Sequence, residues 1–167
     1  MKKISVLALV LLLLALPAFA QKIGYVDLQR ALNLSKAGVA AKQQMTEEVK
    51  KYEGEFKAKQ DEVLKMKTDL EKQAALLSDN ARAEREREYQ RRVTDLQRFQ
   101  QDIQEDLQRR DAEFTGRIIN ELFDVLQSVG SEAGYTMIIE KNEGAIVYAD
   151  PAFDLTDALI KAYDAKN

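Results

Sequence analysis

The chain has 167 residues, 46% of them hydrophobic and 32% charged, with a formal net charge of −3. It contains no cysteine and no histidine, which excludes disulfides, thiol nucleophiles, imidazole acid–base chemistry and Cys or His metal ligation. Catalysis would fall to carboxylates, Lys, Ser, Thr or Tyr alone, so the composition argues against an enzyme and calls for no cofactor.

The first twenty residues read as a signal peptide. Met1-Lys2-Lys3 is a basic start, residues 4–16 are an apolar run, and Pro17-Ala18-Phe19-Ala20 is a small-residue cleavage site, with cleavage expected after Ala20. The apolar run is shorter than the ~20 residues of a membrane-spanning helix. No cysteine follows the site to carry a lipid, so an exported, soluble protein is expected. Two of the 25 basic residues, Lys2 and Lys3, lie in this segment, which leaves 23 against 28 acidic, a net charge of −5. The remaining length suggests one structural unit.

After the cleavage site, Lys22-Ile23-Gly24-Tyr25-Val26-Asp27 alternates in the manner of a strand. Residues 28–34 have helical spacing, and Ser35-Lys36-Ala37-Gly38 reads as a joint. From there to about residue 133 no proline occurs.

This central stretch reads as an arm of two long helices over 39–114. Met45, Val49, Tyr52, Phe56, Lys59, Val63, Met66, Leu70, Gln73 and Leu77 follow alternating steps of four and three, a coiled-coil seam. Tyr89, Val93, Leu96, Gln100, Ile103, Leu107, Arg110 and Phe114 repeat the pattern. Between them a turn is expected near 78–80, with Asp79 or Asn80 capping the second helix. Reversal there pairs Leu70 with Tyr89, Met66 with Val93, Val63 with Leu96, Phe56 with Ile103, Tyr52 with Leu107 and Met45 with Phe114. One register satisfies both halves, which favours an antiparallel hairpin over a parallel dimer. Gly54 and Gly116 fall on outer positions. Polar layers interrupt the seam at Lys59 and Gln100, at Arg110 and Val49, and at Gln73 and Glu86, so packing should weaken toward the tip.

Beyond Phe114 the stripe Ile118, Ile119, Leu122, Phe123, Val125, Leu126 and Val129 is too wide for a two-helix seam and should enter a core. Gly130 and Gly134 bracket the helix end. Strands are expected near 135–140 and 145–149, joined as a hairpin by Lys141-Asn142-Glu143-Gly144, and a terminal helix near 155–165 with Asp154 as its N-cap. The fold class is therefore α+β and mostly α: a helical-hairpin arm projecting from a small β-rich body built by both chain ends, residues 21–38 and 115–167. A three-stranded sheet is marginal alone, so the bodies should associate as a homo-oligomer of unspecified number. Ile23, Tyr25, Ile118, Ile119, Leu122, Val125, Ile138, Ile146 and Tyr148 are the candidate residues of this oligomer body.

The chain resembles the Skp/OmpH family of periplasmic chaperones. The resemblance runs over residues 22–32, the charged hairpin, Asp150-Pro151 and the closing Asp154-Leu155-Thr156-Asp157-Ala158-Leu159-Ile160-Lys161. It implies a periplasmic homotrimer in which a shared β-barrel carries three tentacles around a cavity. Unfolded outer-membrane proteins would be held there without ATP. Family members are often strongly basic at the tentacles, whereas this chain is acidic overall.

Residues 57–92 nevertheless hold ten Lys or Arg against eight Asp or Glu, and residues 101–124 three against seven. Lys57, Lys65, Lys67, Lys72, Arg82, Arg85, Arg87, Arg91 and Arg92 are thus candidates for steering acidic clients, or else an ordinary solvated helix face. Leu64, Leu76 and Phe99 lie off the seam and would touch clients or pad the hairpin. The other reading is an exported structural or adaptor protein of the cell envelope. Glu84, Glu86, Glu88 and Asp95, interleaved with the arginines, oppose nucleic-acid binding. Membrane contact is compatible with the pattern, but nothing points to it.

Overall fold

The computed structural model describes residues 21–73, 76–142 and 146–166. The signal-peptide reading and its cleavage site therefore lie outside the described residues, as do Glu143 and Gly144 of the loop expected at 141–144. Strand β1 (Ile23–Val26) leads into helix α1 (Leu28–Leu34), the long helices α2 (Lys36–Gln73) and α3 (Asp79–Glu132), strand β2 (Met137–Glu140), a 3-10 turn (Pro151–Phe153) and helix α4 (Thr156–Lys166).

The body is built by both chain ends around one core. Val26, Leu28, Ala31 and Leu32 from the first end meet Ile118, Leu122, Val125 and Leu126 of α3 and Leu159 and Tyr163 of α4. The wide stripe of α3 is thus explained: its buried residues face α1 and α4 together. Polar contacts tie the ends. The Thr156 hydroxyl accepts from the Asp27 amide at 2.9 Å, Arg30 donates to Asp157 at 2.5 Å, and the Tyr163 hydroxyl donates to Glu121 at 2.5 Å. Burial, then the Glu121 hydrogen bond, pushes the Tyr163 phenol well above its ordinary range, so it remains a donor.

The sheet differs from expectation. Its two strands are parallel, with Ile23 opposite Met137 and Val26 opposite Glu140, so the whole arm is the crossover between them. On its other side β1 is bridged to Asp154, its Tyr25 carbonyl accepting from the Leu155 amide at 2.8 Å. Residues 146–149 form no strand, and Val147 and Tyr148 are 98% and 89% exposed. Both sides of β1 are taken, and a single chain offers no second apolar layer for that segment. The body is accordingly more helical than expected. Asp154 caps as anticipated in kind, its carboxylate accepting from the Thr156 amide at 2.8 Å.

The joint between body and arm is tight. Ser35 is buried; its hydroxyl donates to the Leu32 carbonyl at 3.2 Å and accepts from the Gly38 amide at 3.1 Å. A Cβ at Gly38 would lie 1.6 Å from the Leu32 oxygen, so the arm helix can start at Lys36 because residue 38 has no side chain.

The arm is the antiparallel hairpin expected, roughly 57 Å along α2 and 81 Å along α3 at about 1.5 Å per residue. Met45, Val49, Tyr52, Phe56, Val63, Met66 and Leu70 are half-buried, as are Tyr89, Val93, Leu96, Ile103, Leu107, Arg110 and Phe114, while Lys59, Gln73 and Gln100 are exposed. Gly54 and Gly116 face open space. At the tip α2 ends at Gln73, short of Leu77, and the cap of α3 is Ser78, whose hydroxyl accepts from the Ala81 amide, rather than Asp79 or Asn80.

Within the seam lies a polar cluster. The Tyr52 hydroxyl donates to Asp106 at 2.8 Å, Arg110 donates to the same oxygen at 2.6 Å, and Arg109 pairs with the other oxygen. The Arg110 hydrogen bond, then that of Tyr52, holds the Asp106 carboxyl below its ordinary value, and accepting from Tyr52 raises the phenol's.

Two predictions follow from this packing. Gly38→Ala should lose about 3 kcal/mol in denaturant unfolding, an overpacking cost, whereas Gly116→Ala, in open space on a helix, should gain about 1 kcal/mol. Equal effects at the two sites would contradict the joint. A carboxylate with a depressed folded pKa contributes stability that is full above its unfolded value, near 3.8, and lost as pH falls through the folded value. Asp106→Asn should therefore melt below the parent chain at about pH 7, and the gap should close below about pH 4. Circular dichroism melts from about pH 7 down to about pH 2 test it, and a gap that stays constant below about pH 4 refutes it.

Candidate functional site

The distal arm gathers the candidate cations, and their local pairings divide them. Lys57 pairs with Asp61 at 3.1 Å, Lys67 with Glu71 at 3.9 Å and Arg82 with Glu86 at 3.0 Å along their own helices, while Arg92 reaches across the arm to Glu62 at 3.6 Å. Lys65, Lys72, Arg85, Arg87 and Arg91 are exposed and make no ion pair among the described residues. Together with Lys59 and Arg98, which are likewise exposed and in no ion pair among the described residues, these five form the available positive surface of the upper arm. Exposed helix pairs contribute little to stability, so the paired four are also readily released to a competing carboxylate.

Apolar side chains accompany them. Leu64 is 61% exposed on α2 and Leu76 is 85% exposed at the tip. Phe99 is different: it is half-buried, edge-on to Tyr52 with ring centroids 6.4 Å apart and beneath the Lys59 ammonium at 5.0 Å, and so it pads the side of the hairpin. A flexible cation beside an isolated exposed leucine suits weak, unspecific contact with an extended chain. It does not form an enclosed pocket.

Nor do the acidic residues form a reaction centre. Among the described residues no group of three or more Asp and Glu is placed to hold a metal ion. In the lower arm Asp106 is held by Arg109 and Arg110, and Glu113 by Arg109. Among the described residues no helix is long and apolar enough to cross a membrane.

The second surface is on the body. Ile23, Met137, Ile139 and Phe153 are between 38% and 55% exposed, and Val147 and Tyr148 are almost fully so. Ile23, Tyr25, Ile139, Ile146, Tyr148 and Phe153 line a recess of about 470 Å³ there. Tyr25 is buried at its floor, its phenol raised first by burial and then by Asp154 and Asp150.

The oligomer-body candidates consequently fall into two groups. Ile118, Leu122 and Val125 are at most 6% exposed within the chain's own core, and half-buried Ile119 and Ile138 pack against it, so these five do not offer a surface. Ile23, Ile146 and Tyr148 do, with Tyr25 beneath them. Met137, Ile139, Val147 and Phe153 share the exposed face without having been singled out from the sequence. Their signal was the apolar content of both segments, which periodicity alone does not assign to a face.

Comparison with known proteins fits this architecture. The family model for the OmpH-like outer membrane proteins matches residues 22–163. A protein named "Chaperone protein Skp" from Yersinia enterocolitica is 32% identical over 123 residues, 67% of this chain and 71% of that one. One of the same name from Photorhabdus laumondii subsp. laumondii is 25% identical over 120 residues, covering 68% and 72%. The crystal structure of an OmpH-like outer membrane chaperone from Caulobacter crescentus CB15 shares the fold, with a TM-score of 0.83 over 90% of this chain and 88% of that one at 20% identity. With a match that runs from β1 into α4 and a relative at this level of identity, the chain belongs to the Skp/OmpH-like outer membrane chaperone family.

Proposed function

We propose that the protein is an ATP-independent holdase of the periplasm, exported by cleavage after Ala20, that binds unfolded outer-membrane proteins and keeps them from aggregating. The observation that carries this reading is the upper arm, where exposed cations that make no ion pair among the described residues, with two exposed leucines, stand on a two-helix scaffold. Such a surface gives many weak contacts spread over a long arm. Each contact is easily lost and replaced, so a client is retained without being fixed in one conformation. No part of this needs a nucleotide or a catalytic group.

Holding a chain of some length requires several arms, and the body supplies a means of joining them. Ile23, Ile139, Tyr148 and Phe153 share one apolar recess with exposed Met137 beside Ile23, and among the described residues β2 pairs on one edge only. A contiguous apolar patch beside a free strand edge favours association. We assign this face to homo-oligomer formation, as a trimer by analogy with the family. Ile23, Tyr25, Ile146 and Tyr148 are its contact residues among the sequence candidates.

An unfolded β-barrel membrane protein diluted from denaturant should stay soluble with the mature protein present and nucleotide absent. Replacing Lys65, Lys72, Arg85, Arg87 and Arg91 together by Gln should weaken the capture of acidic clients by roughly tenfold at low salt and flatten its salt dependence. Aggregation that proceeds as in buffer sinks the holdase reading. Separately, light scattering should give a mass that is a multiple of one chain, and Met137→Asp with Ile139→Asp should reduce it to one chain. A parent protein of single-chain mass would overturn the assembly.

A further inference from the structure

The layers of the arm differ in what holds them. Next to the body, α2 and α3 are fixed from outside the seam: Ala37 and Ala41 pack against the core and Ile118 lies inside it. Some two turns above Met45 comes the polar cluster, in which Asp106 of α3 accepts from Tyr52 of α2 and from Arg110 and Arg109 of its own helix. Among the described residues, Tyr52 to Asp106 is the only side-chain hydrogen bond between the two arm helices. Beyond the half-buried Phe56 and Ile103, the layer of Lys59 and Gln100 is exposed, and the Glu62–Arg92 pair above it is long at 3.6 Å and solvated.

We propose that the Tyr52–Asp106–Arg110 cluster is a register lock, which keeps the upper segment of the arm in one axial register above a lower stalk that the body already fixes. Apolar contact is not directional, so a small axial shift along a Val, Leu and Met seam changes the buried area little. A hydrogen bond weakens steeply once its distance and angle depart from ideal geometry. A single polar group in an otherwise apolar coiled-coil seam therefore selects one register among several of similar area. Arg110 and Arg109 hold the carboxylate in place, so that the Tyr52 hydroxyl meets a fixed acceptor. Asp106 is suited to this because its side chain is only 18% exposed.

The chain has no cysteine, so spin labels can be placed at will. Label pairs on exposed positions at two heights, Gln44→Cys with Ala112→Cys below the cluster and Lys65→Cys with Gln90→Cys above it, report the two segments separately. In the parent each pair should give one distance. In Tyr52→Phe, which keeps the ring in the seam, and in Asp106→Asn, the upper pair should broaden or show a second distance while the lower pair and the helix content stay unchanged. An upper pair unaltered in both variants, or both pairs broadened alike, overturns the lock.

Discussion

Two helices in antiparallel contact share a single stripe, and no residue of the 38-residue helix α2 is buried. An arm of this kind cannot supply the apolar burial that a stable fold needs. Stability must come from elsewhere in the chain, and it comes from the ends: ten residues from β1, α1, the last turns of α3 and α4 make the one core cluster. The arm is a consequence of how those ends meet. Because β1 and β2 run parallel, the chain must leave one end of the sheet and return to the other, and parallel strands require a long crossover. Here that crossover has been extended into the arm itself.

This arrangement concentrates demands at the point where the arm leaves the body. Ser35 satisfies the end of α1 and the start of α2 within four residues, and Gly38 lets the Leu32 carbonyl approach where any side chain would collide. At the far side of the body, Gly134 adopts a left-handed φ of 70° to end α3, and the Tyr135 amide returns to the Gly130 carbonyl at 2.9 Å. Both turns are close to the core, so the direction of the arm is set by the body.

The arm was the most legible part of the sequence because its information is local and repeated: one step pattern recurs through both helices, and a single register matches them. Its outer glycines and the widening of the stripe at Ile118 were readable for the same reason. The sheet was less so. Residues 23–26 and 137–140 are separated by the entire arm, and nothing in their composition says that they pair with each other in parallel rather than each with its neighbour in sequence. The apolar segment at 146–149 has the pattern of a strand, but a pattern needs a layer to pack on, and one chain does not contain it. Tyr52 and Asp106 were visible only as a seam position and one acid among many. Their pairing depends on the height at which the helices face each other, and that appears only when the hairpin is built.

Along the arm the nature of the holding contact changes in steps, and the chemistry of the surface changes with it. At the base, core packing fixes both helices; above it a directed hydrogen bond opposes sliding; above that, half-buried apolar layers interrupted by exposed Lys59 and Gln100, with a solvated ion pair, add no further directed contact. The cations without an ion pair among the described residues and the exposed leucines lie in this last region, while Asp106 and Glu113 below are engaged by Arg109 and Arg110. Contacts that must adapt to different chains thus sit where the scaffold yields, and contacts that must keep the arm directed sit where it does not. Charge alone would not produce this order, since the same cations placed next to the core would be held rigidly in one arrangement. It is the grading of the seam, from buried core to directed polar contact to half-buried layers without one, that leaves the side chains of the upper surface room to adjust.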